Sequence, residues 1–158
     1  MAAAQKITPF LWFNTEAEQA AKFYVSLFKD SKITSIDKFG PDGAVMSVKF
    51  ELGGHSYVAL NGNTKQKFND SFSMLIACED QKEVDALWDK LLAGGGKPTQ
   101  CGWLKDKFGF SWQIVPADWE SWLEEADEDG ANRMMAAMFQ MQKLDLEALR
   151  AARDGVTA

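Results

Sequence analysis

The stretch that decides the fold spans residues 46–61 and has the sequence MSVKFELGGHSYVALN. In its first half, apolar side chains at 46, 48, 50 and 52 alternate with polar ones at 47, 49 and 51. A period of two is typical of a β-strand with one buried face. Gly53 and Gly54 form a tight-turn sequence, and residues 55–61 follow as a returning strand. The stretch therefore predicts a β-hairpin with one face in the protein core.

The residues before this hairpin predict a strand, a helix and a second strand. Residues 6–13 are rich in the aromatic and branched side chains that favour a strand. Apolar residues at helical spacing predict a helix over 16–28, with Asn14 or Thr15 as its N-cap. A further strand at 32–39 completes the order β-α-β-β-β.

The same order of elements returns after a polar linker at 62–71. The predicted elements of this second part are a strand at 72–78, a helix at 81–92 and short strands at 97–101, 102–105 and 111–115. Asp106 and Lys107 are expected to shape the turn before the last strand. The two parts share an order of elements rather than residue identities, so the repeat is one of structure.

We therefore predict an α+β protein made of two βαβββ modules and a helical tail. The first module covers 6–61, the second covers 72–116, and the tail covers 117–158. A length of 158 residues suits a single domain with a substantial core. Two such sheets side by side predict an open barrel around a cavity.

Composition and charge narrow the possible partners. The chain is 46% hydrophobic and 25% charged, as in ordinary globular proteins, and its net charge is -6. Lysine and arginine are scattered instead of forming the basic stripe of nucleic-acid-binding proteins, so we expect no nucleic acid as partner. No apolar run reaches the roughly 18 residues of a membrane span, and the start of the chain is unlike a signal peptide. We expect a cytoplasmic protein with no membrane partner, in which the acidic residues at 124–129 form a solvated loop.

Three residues are of types that often carry chemistry: Cys78, Cys101 and His55. One histidine and two distant cysteines are a poor set for zinc. Cys101 is a weak candidate for a catalytic nucleophile, and the alternative is a buried, inert thiol. We expect Cys78 in the core and His55 at an exposed turn.

The tail contains four methionines at helical spacing, Met134, Met135, Met138 and Met141. The pattern predicts a helix side that faces the core. Two alternatives stay open. The methionines could form an adaptable wall over a ligand cavity, or a contact surface for a second copy, which would make this chiefly an interaction protein.

Several stretches resemble one known superfamily. They are ITPFLWF at 7–13, Phe23-Tyr24, ALNG at 59–62 and, above all, CGWLKDKFG at 101–109, which continues into SWQIVP at 111–116. The chain resembles the glyoxalase/vicinal-oxygen-chelate superfamily and, within it, the PhnB-like proteins that carry the label 3-demethylubiquinone-9 3-methyltransferase. The resemblance covers nearly the whole chain. It implies the two βαβββ modules, and it implies a homodimer that pairs its halves across subunits.

The resemblance also implies where a metal site would lie. Enzymes of the superfamily place one ligand, usually His or Glu, on the first and last strand of each half. The matching positions are near Thr8, Asn61 or Ala59, Ser73 and Gln113. Neutral hydroxyls and amides do not supply the charge that draws Zn, Fe or Mn from water. The chain departs from the metalloenzyme pattern, so we expect neither a catalytic metal nor another cofactor.

The same comparison yields a set of candidate ligand-binding residues. Alternation along 111–115 places Trp112 and Ile114 toward a helix and Gln113 toward the cavity. The candidate residues are Thr8, Trp12, Asn61, Ser73, Trp103 and Gln113. The alternative is that the polar members satisfy backbone groups inside a packed core.

We therefore predict a small-molecule-binding protein or a metal-independent enzyme. The alternatives are a metal-dependent lyase or dioxygenase, and the methyltransferase that the family label names. The methyl donor S-adenosylmethionine usually sits over a glycine-rich loop that leads from a strand into a helix. The glycines at 94–96 follow a predicted helix and precede a strand, which is the opposite order.

Overall fold

Two four-stranded sheets form the framework of the protein. The computed structural model describes residues 5–156, and the chain divides into two compact units, Met1–Lys67 and Phe68–Ala158. The α+β class and the two βαβββ modules are confirmed. That both units belong to one domain stays a prediction.

The elements are named here in chain order. The first unit contains β1 Phe10–Phe13, α1 Ala17–Val25, β2 Lys32–Phe39, β3 Ala44–Leu52 and β4 His55–Asn61. The second unit contains β5 Ser73–Cys78, α2 Gln81–Leu92, β6 Lys97–Pro98, β7 Trp103–Lys105, β8 Ser111–Pro116, α3 Trp119–Glu125, α4 Glu128–Phe139 and α5 Leu146–Asp154. None of the helices within residues 5–156 combines the length and apolar character that crossing a membrane requires.

In the first unit the strands lie in the order β1-β4-β3-β2. β1 runs parallel to β4, and the predicted hairpin is the antiparallel pair of β3 and β4. α1 packs on one face of this sheet, where the ring centroids of Tyr24 and Phe50 are 6.3 Å apart. Val48 and Phe50 are buried on that face, as their alternation predicts. Met46 differs, because it lies beside the first turn of α1 and lines a cleft instead of the core.

In the second unit the order is β5-β8-β7-β6, and β5 runs parallel to β8. α2 packs against β7 and β8. Trp112 and Ile114 are buried on the same side of β8, while Gln113 between them is half-buried. The predicted alternation along this strand is confirmed. Burial of apolar surface between the helix and the sheet stabilises the unit by roughly 25 cal/mol per Å².

The first strand and helix are shorter than predicted. β1 and α1 do not fill the predicted ranges 6–13 and 16–28. Asn14 and Thr15 do not cap α1, because the N-cap position is Glu16, which makes no side-chain capping hydrogen bond. A side chain from β4 supplies the missing acceptor.

The strands predicted at 97–101 and 102–105 are interrupted by a turn. The Trp103 N–H donates to the Gln100 carbonyl at 2.9 Å, and Cys101 has a left-handed φ of 57°. A left-handed residue does not continue an extended strand. β6 and β7 therefore keep only the outer residues of the predicted ranges.

The acidic stretch does not form the solvated loop predicted for 124–129. Its first two residues end α3, and its last two begin α4. Carboxylates near a helix N-terminus are stabilised by the unpaired N–H groups there, which explains why acidic residues start this helix. Asp127 caps it by accepting the Gly130 N–H at 2.6 Å.

The methionines of the tail differ in burial. Met134 is fully buried, so the prediction of a core-facing side is confirmed for this residue. Met135 and Met138 are half-buried on the same helix. Met141 lies beyond the end of α4 and is also half-buried, because the helix stops before the predicted stripe does.

Gln81 attaches the tail to the start of α2. Its Nε2 donates to the Leu144 carbonyl at 3.1 Å, and its Oε1 accepts the Leu146 N–H at 2.8 Å. Both leucines are buried, so the amide satisfies backbone groups at a place with little water. The tail is thus an integral part of the second unit.

A buried carboxylate shapes the turn between β7 and β8. Asp106 is only 2% exposed. Its Oδ1 accepts the N–H groups of Phe108 at 2.8 Å and Phe110 at 3.1 Å. Its Oδ2 accepts the indole N–H of Trp112 at 2.9 Å. The expectation that Asp106 shapes this turn is confirmed, and the carboxylate also connects the turn to the core.

We predict that Asp106→Asn lowers the free energy of unfolding by about 2–3 kcal/mol, since an NH₂ group then faces a donor that had an oxygen partner. Urea denaturation followed by circular dichroism measures this loss. Asp42→Asn, in an exposed turn, is the matched control and should cost less than about 0.5 kcal/mol. Equal stability of the two variants would contradict the role given to the buried carboxylate.

Candidate functional site

α1 and α2 each pack on one face of their sheet, and we name the opposite face of each sheet its distal face. Side chains of residues paired in register point to the same side of a sheet. The register therefore assigns residues to each distal face. The first distal face carries Phe10, Trp12, Asp37, Ser47, Lys49, Val58 and Leu60, and the second carries Ser73, Leu75, Trp103, Lys105, Ser111 and Gln113.

On the second distal face, the structure brings together three of the predicted ligand-binding residues. Gln113 in β8 lies opposite Trp103 in β7, and its Nε2 donates to Ser73 Oγ at 2.8 Å. All three residues are half-buried, and Leu75 beside them is 57% exposed. A fixed amide and hydroxyl thus lie next to an indole and an aliphatic side chain.

A charged group lies on the same side of this sheet. Ser111 Oγ donates to Asp70 Oδ1 at 2.7 Å, and Lys105 Nζ lies 3.3 Å from the same oxygen. The hydrogen bond from Ser111, followed by the interaction with Lys105, lowers the pKa of Asp70, because both favour the carboxylate. Asp70 lies in the predicted linker, where no local pattern distinguishes it from its polar neighbours.

The first distal face is apolar at one end and charged at the other. Phe10 and Trp12 on β1 are 64% and 48% exposed. Toward β2, Ser47 Oγ donates to Asp37 Oδ2 at 2.9 Å, and Lys49 Nζ lies 3.6 Å from that oxygen. Trp12 is therefore placed beside apolar surface, with polar groups farther across the sheet.

Asn61 does not lie on the distal face with Trp12. It pairs with Phe13, so its side chain points to the α1 side of the sheet. Its Oδ1 accepts the Ala17 N–H at 2.8 Å, and its Nδ2 donates to the Val45 carbonyl at 3.0 Å. Asn61 thus provides the capping acceptor that α1 otherwise lacks. This arrangement matches the alternative in which a polar side chain satisfies backbone groups.

Thr8 is half-buried and precedes β1, so the strand register does not assign it to a face. Asn61 also lines a cleft of about 540 Å³ at the start of α1, together with Phe39 and Met46. No local sequence pattern indicates this cleft. Its walls come from a hairpin end and a helix start that are distant in sequence, and only the fold brings them together.

The two cysteines have different surroundings. Cys78 is fully buried, as predicted, and burial, with smaller effects of Glu83 and Asp80, raises its pKa to about 12. A thiol with so high a pKa is unreactive at neutral pH. Cys101 is half-buried before β7, and its N–H donates to the Met141 carbonyl at 2.8 Å. The role of Cys101 as a nucleophile stays a prediction.

The residue types at the implied metal positions are neutral. Thr8, Asn61, Ser73 and Gln113 are hydroxyls and amides, and His55 lies exposed at the start of β4, as predicted. In the part of the chain that the structure describes, no three His, Cys, Asp or Glu side chains form a group suited to a metal ion. The expectation that the protein uses no metal remains a prediction.

The fold defines the class of protein. Two units with β-α-β-β-β order and mixed four-stranded sheets are the architecture of the glyoxalase/vicinal-oxygen-chelate superfamily. Within it, the chain belongs to the family described as 3-demethylubiquinone-9 3-methyltransferase, whose model matches residues 5–115. A PhnB protein from Bacillus cereus with the same label has a similar structure, with a TM-score of 0.65 and 33% identity over 70% of this chain and 99% of that chain.

Two further solved structures are similar at lower identity. A protein from Pseudomonas aeruginosa has a TM-score of 0.60 and 16% identity, over 72% of this chain and 98% of that chain. A glyoxalase/bleomycin resistance protein from Albidiferax ferrireducens has a TM-score of 0.48 and 14% identity, over 70% of this chain and 97% of that chain. No curated protein matches the chain.

We predict that Asn61→Ala lowers the free energy of unfolding by about 1–2 kcal/mol, because α1 loses its capping acceptor and the Val45 carbonyl loses a donor. Asn61→Asp keeps the acceptor and should recover part of the loss. Asn14→Ala is the matched control, since Asn14 does not cap the helix, and should be nearly neutral. Urea denaturation of the three variants measures these effects. A larger loss for Asn14→Ala than for Asn61→Ala would refute the assignment.

Proposed function

We propose that this protein binds a small, partly apolar molecule on the distal faces of its sheets, without a resident metal ion. The protein either binds this molecule without changing it or catalyses a reaction of it. The observation that carries the proposal is the set Ser73, Trp103 and Gln113, in which hydrogen-bonded polar groups lie beside indole and aliphatic surface.

The chemistry of this set supports a small-molecule ligand. Small-molecule sites combine apolar walls with a few fixed polar groups that orient the ligand. The bond to Ser73 holds the Gln113 amide and uses one of its two N–H donors, so a second N–H and the carbonyl suit a polar group of a ligand. Trp103 and Leu75 supply apolar surface. A ligand with a hydrogen-bonding group on an apolar body matches this face.

A metal-dependent lyase or dioxygenase of the superfamily is the main alternative. Such an enzyme needs imidazole or carboxylate ligands that converge on one point. The positions implied by the superfamily resemblance hold Thr8, Asn61, Ser73 and Gln113, and the amide of Asn61 is already bonded to backbone groups of the first unit. These residue types favour binding without a metal.

The family description names a methyltransferase, which is a second alternative. A methyl donor of the nucleoside type usually sits where a strand leads through a glycine-rich loop into a helix. The glycines at 94–96 instead follow α2 and lead into β6. The order of elements around these glycines therefore favours binding of a ligand over methyl transfer from such a donor.

Binding of naphthoate, an aromatic probe with one polar group, tests the proposal. Isothermal titration calorimetry of the full chain should show binding on the second distal face that Trp103→Ala weakens about tenfold and Gln113→Ala about threefold, the size of one apolar and one hydrogen-bonding contact. Trp119→Ala is the matched control, since Trp119 is a half-buried tryptophan on α3, and should leave the affinity unchanged.

Two results would refute this proposal. One is equal affinity in all three variants and the wild-type chain. The other is a stoichiometric content of Zn, Fe or Mn in protein purified without an affinity tag, combined with loss of naphthoate binding after chelation. The second result would support the metal-dependent alternative.

The assembly that we propose is a homodimer, which agrees with what the superfamily resemblance implies. The edge strand β2 ends in Phe39, which is 75% exposed, and an exposed apolar edge invites pairing. Light scattering at micromolar concentration should give a mass near twice 17.6 kDa. A mass equal to one chain would contradict the dimer.

The location that we propose is the cytoplasm. Cys78 and Cys101 are both free thiols. Free thiols are typical of proteins in reducing compartments.

A further inference from the structure

The lack of a Cβ at Gly62 makes room for the side chain of Trp12, whereas a backbone conformation with positive φ does not account for this glycine. Gly40, Gly43, Gly53 and Gly54 in the same unit have positive φ and open space where a Cβ would lie. Gly62 has no positive φ, so an L-residue could adopt its backbone conformation. A Cβ at Gly62 would lie 2.6 Å from Cε2 and 2.7 Å from Cδ1 of Trp12, and would overlap Nε1.

The backbone that carries Gly62 is held in place. The Gly62 N–H donates to the Phe13 carbonyl at 3.0 Å, and the Asn63 N–H donates to the Asn14 carbonyl at 3.2 Å. These bonds continue the pairing of β1 with β4 beyond the last strand residue. The Trp12 indole therefore lies on a fixed surface, which restricts its rotamers.

Trp12 is not needed to fill the core of the first unit. Its neighbours Leu11 and Phe13 are 2% and 3% exposed and pack on the α1 side, while Trp12 is 48% exposed on the distal face. Phe10, on the same side of β1, is 64% exposed. Packing alone does not explain why one edge of the Trp12 indole lies against Gly62 while about half of the residue is exposed to solvent.

We propose that Gly62 is a positioning residue, whose missing Cβ lets the Trp12 indole lie in one orientation, so that the exposed face of the indole stacks on a planar aromatic ring of a ligand bound on the first distal face. Stacking depends on the relative orientation of the two rings. An indole already held in place loses little rotamer freedom on binding, which favours affinity. The inference rests on the proposed function and adds to it the chemical class of the ligand.

The position of the indole is tested first, without a ligand. The chain has six tryptophans, and labelling with fluorotryptophan gives each a ¹⁹F signal; the Trp12 signal is the one that disappears in Trp12→Leu. Gly62→Ala should shift or broaden the Trp12 signal and leave the Trp103 signal unchanged. Gly62→Ala should also destabilise the wild-type chain but not the Trp12→Leu variant, where the space is free.

Recognition is tested with a matched pair of probes, naphthoate and its saturated analogue, decalin carboxylate. Measured in the Trp103→Ala background, where the site on the second distal face is weakened, the chain should prefer the aromatic probe by about fivefold, the size of one aromatic pair. Adding Gly62→Ala or Trp12→Leu to that background should abolish this preference and change the affinity for the saturated probe by less than about twofold. A purely structural role of Gly62 would weaken both probes equally.

The outcomes separate this inference from the proposed function. An unchanged Trp12 signal in Gly62→Ala, or a changed signal with the aromatic preference retained, overturns the inference. Binding that responds to Trp103→Ala but to neither Gly62→Ala nor Trp12→Leu also overturns it and leaves the proposed function standing. If neither probe binds the wild-type chain at millimolar concentration, the proposed function is wrong and the inference fails with it.

Discussion

Packing of one helix against one face of a four-stranded sheet is the constraint on which both units of this protein depend. Because a strand alternates its side chains, each strand has to supply core on one side and leave different chemistry on the other. In β8, Trp112 and Ile114 fill the core while Gln113 between them points away. In β1, Leu11 and Phe13 do the same around Trp12. Exposed distal side chains such as Trp12 and Leu75 can therefore change without disturbing the packing between helix and sheet.

Local pattern was enough to predict most of the fold. The hairpin of β3 and β4, the helix α2 and the orientation of Gln113 are confirmed, because each depends on periodicity over a short stretch. β6 and β7 were predicted too long, because Cys101 and Gly102 have left-handed φ values of 57° and 83° and end the extended chain at this turn. The acidic residues at 124–129 were predicted as a loop, although the last two begin α4.

The candidate site was predictable only in part, for a different physical reason. Ser73 and Gln113 lie on the adjacent strands β5 and β8 and are hydrogen-bonded, in agreement with the shared site that the superfamily resemblance implied for them. Asn61 was assigned to the site because its position matched, yet its amide caps a helix that starts 44 residues earlier. Asp70 was overlooked, because its partners Ser111 and Lys105 are distant in sequence. Hydrogen bonds and ion pairs between residues distant in sequence depend on tertiary structure, and local periodicity does not predict them.

The attachment of the tail by Gln81 has a consequence for the order in which the chain is made. All five elements of the first unit lie within Met1–Lys67, so its hydrogen bonds can close while translation continues. The second unit differs, because Gln81 near its start finds its backbone partners only at Leu144 and Leu146. A ribosome must therefore release nearly the whole polypeptide before α2 acquires its full set of bonds. By then all residues of the first unit have been released, so its backbone hydrogen bonds can form before those of the second unit are complete.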